Sequence, residues 1–172
     1  ARIVVIGGAV YVPGNASPVA SANLYEDPEA ASIVFSSGSP LAQVGLDVCN
    51  MVNISRDQLE QIQRAGKATM RLLAAATPSL HDSYVARGLL KEEEGVRYND
   101  MPAIAFMVDP DLFGHSDMFV EIETQSPTSR GQTVAQRAGP GVPPPNVTVC
   151  LEVDGDRVAR LFTERIVGYG AP

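Results

Sequence analysis

The residues best suited to chemistry in this chain are amides and carboxylates placed just after strands or at helix starts: Asn15, Asn23, Asp47, Asn50, Asn99 and Asp100. A carboxamide both donates and accepts hydrogen bonds, whereas an ionised carboxylate only accepts. Other chemistries lack their patterns. There is no Gly-x-Ser-x-Gly elbow for a serine nucleophile. Gly7-Gly8 stands outside any GxGxxG or GxxxxGK[ST] frame, so it is a weak phosphate signal. His81-Asp82 reads as a solvated helix start, His115 as an exposed loop residue, and Glu92 to Glu94 as a solvated charge run. Cys49 and Cys150 lie in apolar runs with no CxxC pair, which reads as two buried free thiols of a reducing compartment.

These residues need a frame. Ile3 to Ile6 is a β-branched run closed by glycines, the pattern of a buried parallel strand. A loop is expected from Gly7 to Tyr25. Asp27 then caps a helix with Pro28 in its first position, running through Phe35 and stopping near Gly38. Ala42 to Val48 reads as a second buried strand that delivers Asp47 and Asn50 to the sheet rim. Ser55 begins a long amphipathic helix with Leu59, Ile62, Met70 and Leu73 on one face, ended by Pro78. A further helical stretch reaches about Leu90, and another helix spans Pro102 to Val108. Met118 to Ile122 alternates as a strand, Thr124 to Asn146 reads as one long Pro/Gly-rich loop, Val147 to Val153 as a last strand and Asp156 to Val167 as a last helix. Strands alternating with helices predict an α/β fold, an open and mostly parallel sheet with flanking helices. Such sheets bind ligands beyond the carboxyl ends of their strands, where the six polar residues fall.

Composition narrows the function. With 45% hydrophobic and 19% charged residues the chain can pack a core, which excludes disorder. A net charge of −7, two lysines and no basic patch oppose nucleic-acid binding. No apolar run reaches the length of a membrane span, and no signal peptide is recognised. The sequons at Asn15, Asn53 and Asn146 are then chance matches, and a cytoplasmic location is expected. The chain starts at Ala1, almost inside a core-like strand, so it is expected to be a piece of a longer protein.

Several stretches in order resemble the calcium-dependent nucleoside hydrolase family. They are Val4 to Ala9 with Gly7-Gly8, Pro13-Gly14-Asn15, and Ala22 to Ala31 with Asn23 and Asp27-Pro28-Glu29. The series continues with Val44 to Val48, Tyr98-Asn99-Asp100 with Ala103 to Ala105, Asp109 to Phe113, and Ser129-Arg130-Gly131-Gln132-Thr133. The similarity spans nearly the whole chain and corresponds to the C-terminal portion of the family's single domain, residues 1–172 here. It implies cleavage of the N-glycosidic bond of purine or pyrimidine ribonucleosides to ribose and free base. It also implies that Asn15 and Asn23 contact the ribose, that Asn99 stands in the substrate site, and that Asp100 is a ligand of Ca2+, a hard cation that takes oxygen ligands. An aspartate of the family's N-terminal half would serve as base on the attacking water. Homo-oligomerisation is a further expectation by resemblance.

The departures are as informative. The family's glutamate that grips the ribose 5′-hydroxyl is Ser21 here, and its usual histidine after the second strand is Asn50. The histidine before the metal-binding aspartate is Asn99, and an amide is no general acid near neutral pH, so no residue of this chain is assigned as catalytic. The family's N-terminal acidic cluster is not in this sequence, and a lone Asp100 falls short of the about 6–8 oxygens that calcium takes. This chain is therefore expected to be inactive alone and to need an N-terminal half or a partner chain. The competing reading is a non-catalytic binding or assembly module on the same fold.

Overall fold

Alternation along the strands sorts the side chains onto two faces of one five-stranded sheet, in the order β1-β2-β5-β3-β4. The computed structural model describes residues 1–66 and 68–169, the Thr69 side chain excepted. β1 (Ile3–Ile6) pairs in parallel with β2 (Leu41–Val44), and β2 with β5 (Val147–Val153). β3 (Phe113–Ile122) is antiparallel to β5, and β4 (Thr133–Arg137) is antiparallel to β3. Four of the five strands therefore run one way, as the expected mostly parallel sheet requires.

On one face Ala42, Val44 and Cys150, with Val4 and Ile6 beside them, pack against α3 (Leu46–Cys49), α4 (Arg56–Arg64), α5 (Ala68–Ala86), α6 (Met101–Val108) and α7 (Gly155–Gly168). On the other, Leu41, Val149 and Met118 pack against Leu24 of α1 (Ala22–Glu26) and Phe35 of α2 (Pro28–Phe35). Helices thus cover both faces, the layering that a parallel sheet demands. Gln43 points to the second face between Leu41 and Val149. It is fully buried, and neither end of its carboxamide has a partner among the described residues. Gly8 approaches it so closely that a Cβ there would stand 2.2 Å from Gln43 Nε2.

Several expectations need correction. β1 is an edge strand, so Ile3 is exposed and its neighbours are half-buried rather than fully buried. β2 stops at Val44, and the Leu46–Cys49 stretch is a helical turn. The loop after β1 contains α1, and the Thr124–Asn146 segment contains β4. The predicted Ser55-to-Pro78 helix is two helices. Gly66, at φ 69°, closes the first, Lys67 lies outside the described residues, and α5 runs straight through Pro78. Thr77 accounts for the continuity: its hydroxyl donates to Leu73 O (2.7 Å) and bonds the Tyr98 hydroxyl, pinning the turn before the proline. His81-Asp82 accordingly lies inside α5, and His115 is exposed but within β3. The two cysteines are free and buried, as expected.

Candidate functional site

The carboxyl ends of β1 and β2 open into a cleft of about 270 Å³, whose lining includes Asn15, Asn23, Asn99 and Asp100. The four residues singled out from sequence thus meet round one cavity although they come from three separate segments. Asp47 and Asn50 stand outside that lining. Asp47 is buried, and its two oxygens accept from Val10 N (2.9 Å) and Tyr11 N (2.8 Å), fixing the loop after β1. Asn50 accepts from Arg97 Nη1 at 3.5 Å and closes α3.

The first wall is built by the β1–α1 loop. Gly7 and Gly8 both have positive φ, which only glycine adopts without strain. Gly8 N donates to Ser21 Oγ (2.6 Å), and Leu46 N donates to Gly8 O (2.8 Å), so the loop is tied to β2's end. Ser21 occupies the N-cap position of α1, but its hydroxyl is spent on Gly8 and caps nothing. Asn15 supplies the cap instead: its Oδ1 accepts from Ala22 N (2.8 Å). That leaves the Asn15 Nδ2 group as the end directed to other partners. Asn23 donates through Nδ2 to Ile6 O (3.0 Å), at the last residue of β1.

The facing wall comes from α5 and the start of α6. Asn99 Nδ2 donates to the Tyr84 hydroxyl (2.8 Å), and its Oδ1 is buried without a partner among the described residues. The Asn99 carbonyl also accepts from Cys49 Sγ (3.4 Å). Burial pushes the Tyr84 phenol above its ordinary range. Burial, with Asp100 and Asp47 nearby, pushes the Cys49 thiol up to about 12. Asp100 precedes α6 in helical backbone geometry, yet its side chain makes no capping bond, so the carboxylate stands exposed at the cleft. Arg87, in the turn that follows α5, donates from Nη2 to Asn15 O (2.8 Å) and joins the two walls. Tyr84 and Arg87 escaped the sequence reading. No local signal marks them: Tyr84 stands in the last turn of α5 and Arg87 just past it, and nothing in the sequence aims that end at β1.

Asp100 also lies on the lip of a second, larger cavity of about 600 Å³, lined almost wholly by apolar side chains of α5, α6 and α7. Ile104, Met107 and Val108 of α6 are 61%, 64% and 54% exposed, an unpartnered apolar stripe on an otherwise buried helix. His81-Asp82 lines neither cavity; His81 faces Glu94 O and Asp82 instead. Among the described residues no group of three or more histidines, cysteines and acidic residues is arranged to hold a metal ion. No helix among them is long and apolar enough to cross a membrane.

A polar cleft at the carboxyl ends of parallel strands, walled by amides and one free carboxylate, defines an α/β protein built to hold a small polar ligand. The chain belongs to the inosine-uridine preferring nucleoside hydrolase family, whose model matches residues 1–160. It is 34% identical to the pyrimidine-specific ribonucleoside hydrolase RihA of Citrobacter koseri, over 99% of this chain and 54% of that protein. It is also 34% identical to the putative pyrimidine-specific ribonucleoside hydrolase RihB of Shigella dysenteriae serotype 1, over 98% and 60%. Among solved structures, the purine-preferring ribonucleoside hydrolase from Gardnerella vaginalis superposes with a TM-score of 0.86 at 29% identity, covering 97% of this chain and 52% of that one. The plant nucleoside hydrolase PpNRh1 gives 0.84 at 29% identity, covering 99% and 54%. The chain thus spans about half the length of the relatives it matches.

Proposed function

We propose that this chain forms the ribose-binding part of a calcium-dependent nucleoside hydrolase, in which water replaces the base at the ribose anomeric carbon and releases ribose and free base. The observation that carries the reading is the convergence of Asn15, Asn23, Asn99 and Asp100 on one cleft at the ends of β1 and β2. The Nδ2 group of Asn15 and the exposed carboxamide of Asn23 are placed to hold ribose hydroxyls, which fixes the sugar while oxocarbenium character develops. Asn99 orients rather than protonates. Its amide bonds the Tyr84 hydroxyl as acceptor, which leaves the phenolic proton free to bond the departing base. Burial keeps that phenol protonated at neutral pH.

The residues present do not fit a complete calcium site, because Asp100 is a single carboxylate. Asp100 is read as one ligand, with the remainder brought by polypeptide corresponding to the portion of the relatives that this chain does not span. Two features support that partner. Asp100 sits where the polar cleft meets the apolar groove, so a segment seated on Ile104, Met107 and Val108 would carry its ligands beside Asp100. β1 also has one unpaired edge, ready to accept another strand. On this reading the chain alone does not turn over, and the assembly resides in the cytoplasm. The competing reading, a module that kept the fold without the chemistry, draws on Asn99 and Ser21, neither of which ionises.

The test is intact mass and calcium content of the native protein, paired with release of base from inosine and uridine. Bound calcium, polypeptide beyond this chain and free base support the hydrolase. A protein of this chain's mass with neither calcium nor turnover supports the silent module.

A further inference from the structure

We infer that Gln43 is a positioning residue for the cleft: a sugar seated on Asn23 shifts the Gly7–Gly8 peptide, the Gln43 amide takes the Gly7 carbonyl as its missing partner, and the new bond adds to affinity; this rests on the ribose-binding reading above.

Gln43 is 0% exposed, and both ends of its carboxamide lack a partner among the described residues. The Thr133 hydroxyl, at the start of β4, is buried and unpartnered as well. The two meet at one place. A Cβ on Gly8 would stand 2.2 Å from Gln43 Nε2 and 2.8 Å from Thr133 Oγ1. Protein interiors rarely leave neighbouring polar side chains unpaired, because each has given up its hydrogen bonds to water. Such an amide is kept for a bond that the ligand-free protein does not make.

A partner is at hand. Gly7 O accepts no backbone hydrogen bond among the described residues. Gln43 Nε2 and Gly7 O each stand 3.3 Å from the place a Cβ on Gly45 would take, so donor and acceptor flank the same glycine. Gly7 and Gly8 have φ of 140° and 93°, a region that glycine enters at no steric cost. Gly7 N is tied to Val44 O (3.1 Å) and Gly8 N to Ser21 Oγ (2.6 Å). The peptide tilts about those ties, and its carbonyl is the end that moves.

The ligand reaches the same peptide from the cleft. Gly7 is part of the lining, and a Cβ on it would stand 3.3 Å from the Asn23 Cβ. Asn23 Nδ2 donates to Ile6 O (3.0 Å), one residue before Gly7. A ribose hydroxyl that accepts from Asn23 Nδ2 competes with Ile6 O and loosens that end of the loop. The Gly7 carbonyl then turns to Gln43 Nε2, while the Thr133 hydroxyl donates to Gln43 Oε1. One neutral hydrogen bond gained in this way is worth about fivefold in affinity.

The test is an NMR titration of the native protein with D-ribose in the wild type, Gln43→Met and Thr133→Val, with Tm measured beside it. The Gly8 amide nitrogen is the local reporter, because it shares one peptide with the Gly7 carbonyl. The expected result is a Gly8 shift on ribose binding in the wild type. Gln43→Met loses that shift and about fivefold of affinity, although it melts no lower than the wild type. Thr133→Val shows a smaller loss in the same direction. Equal ribose affinity in the wild type and Gln43→Met overturns the inference and leaves the ribose reading standing. A ligand-free Gln43→Met that melts lower overturns it too, since the amide is then already satisfied. Absence of ribose binding in the wild type overturns both.

Discussion

Asn15 divides its carboxamide between structure and ligand, and the two tasks are separable by substitution. Its oxygen caps Ala22 N, while its nitrogen is the end available to a sugar. Asn15→Asp keeps the acceptor, so calorimetry should find the thermal midpoint near wild type. Ligand titration should find nucleoside affinity about tenfold weaker for the lost donor. Asn15→Ala removes both and should also cost about 0.5–2 kcal/mol of stability. An aspartate variant that binds as well as wild type would remove Asn15 from the ligand's partners. The two thiols give a pH signature. Burial raises Cys49 and Cys150 from the ordinary 9.0 to about 12. The buried, protonated thiols therefore contribute stability that is complete below pH 9.0 and is lost as pH rises towards about 12. Chemical denaturation across that window should show the decline, and alkylating reagents at pH 8 should leave both thiols of the folded protein unmodified. Residue type and loop position picked out six residues, of which Asn15, Asn23, Asn99 and Asp100 line the cleft while Asp47 and Asn50 do not. Tyr84 and Arg87 were hidden because their role depends on how the end of α5 and the turn after it meet the β1–α1 loop, a contact across 72 positions that no local pattern encodes.

Elements were legible where a cap or a strong period marked them. Asp27 accepts from Ala30 N (2.9 Å) with Pro28 behind it, so α2 lies where the cap signal puts it, and β5 spans Val147–Val153 as its apolar run predicts. The failures have physical causes. Val44, Leu46 and Val48 alternate like a strand, but Leu46 N donates to Gly8 O (2.8 Å) and Cys49 N to Gly45 O (3.0 Å). The chain there is tied to the β1 loop and turns helical. Pro78 looked like a terminator until Thr77 tied its turn to Tyr98. The contact between Gly8 and Gln43 carries two predictions. Gly8→Ala places a methyl 2.2 Å from Gln43 Nε2 at a φ of +93°, and should destabilise by about 1–3 kcal/mol from backbone strain alone. Gln43→Met replaces an unpartnered buried amide with an apolar side chain of similar length, and should raise stability by about 1 kcal/mol, or roughly 2–4 °C in Tm. Thermal unfolding reads both, and a Gln43→Met variant that melts lower would mean that the amide is satisfied in solution.

At the scale of the molecule, one side is finished and the other is open. The face under α1 and α2 is closed, whereas α6 leaves Ile104, Met107 and Val108 in water beside an edge strand. A surface of that kind asks for protein cover. Ile104→Glu with Met107→Glu should reduce self-association of the isolated chain in sedimentation, with little loss of Tm. The same pair should abolish binding of the polypeptide that completes the metal site. Unchanged binding by the double variant would place the partner elsewhere. The fold class itself was readable because alternating strands and helices admit few arrangements. The open face was not, because an apolar helix reads the same whether its cover is in the chain or outside it.

The most direct test is release of base from uridine and inosine by the native protein in calcium, wild type against Asp100→Asn. The reading of the cleft as a metal-assisted ribosyl site predicts turnover in the wild type and, in the variant, loss of turnover together with weakened calcium binding. Turnover and calcium binding that survive Asp100→Asn unchanged would contradict it.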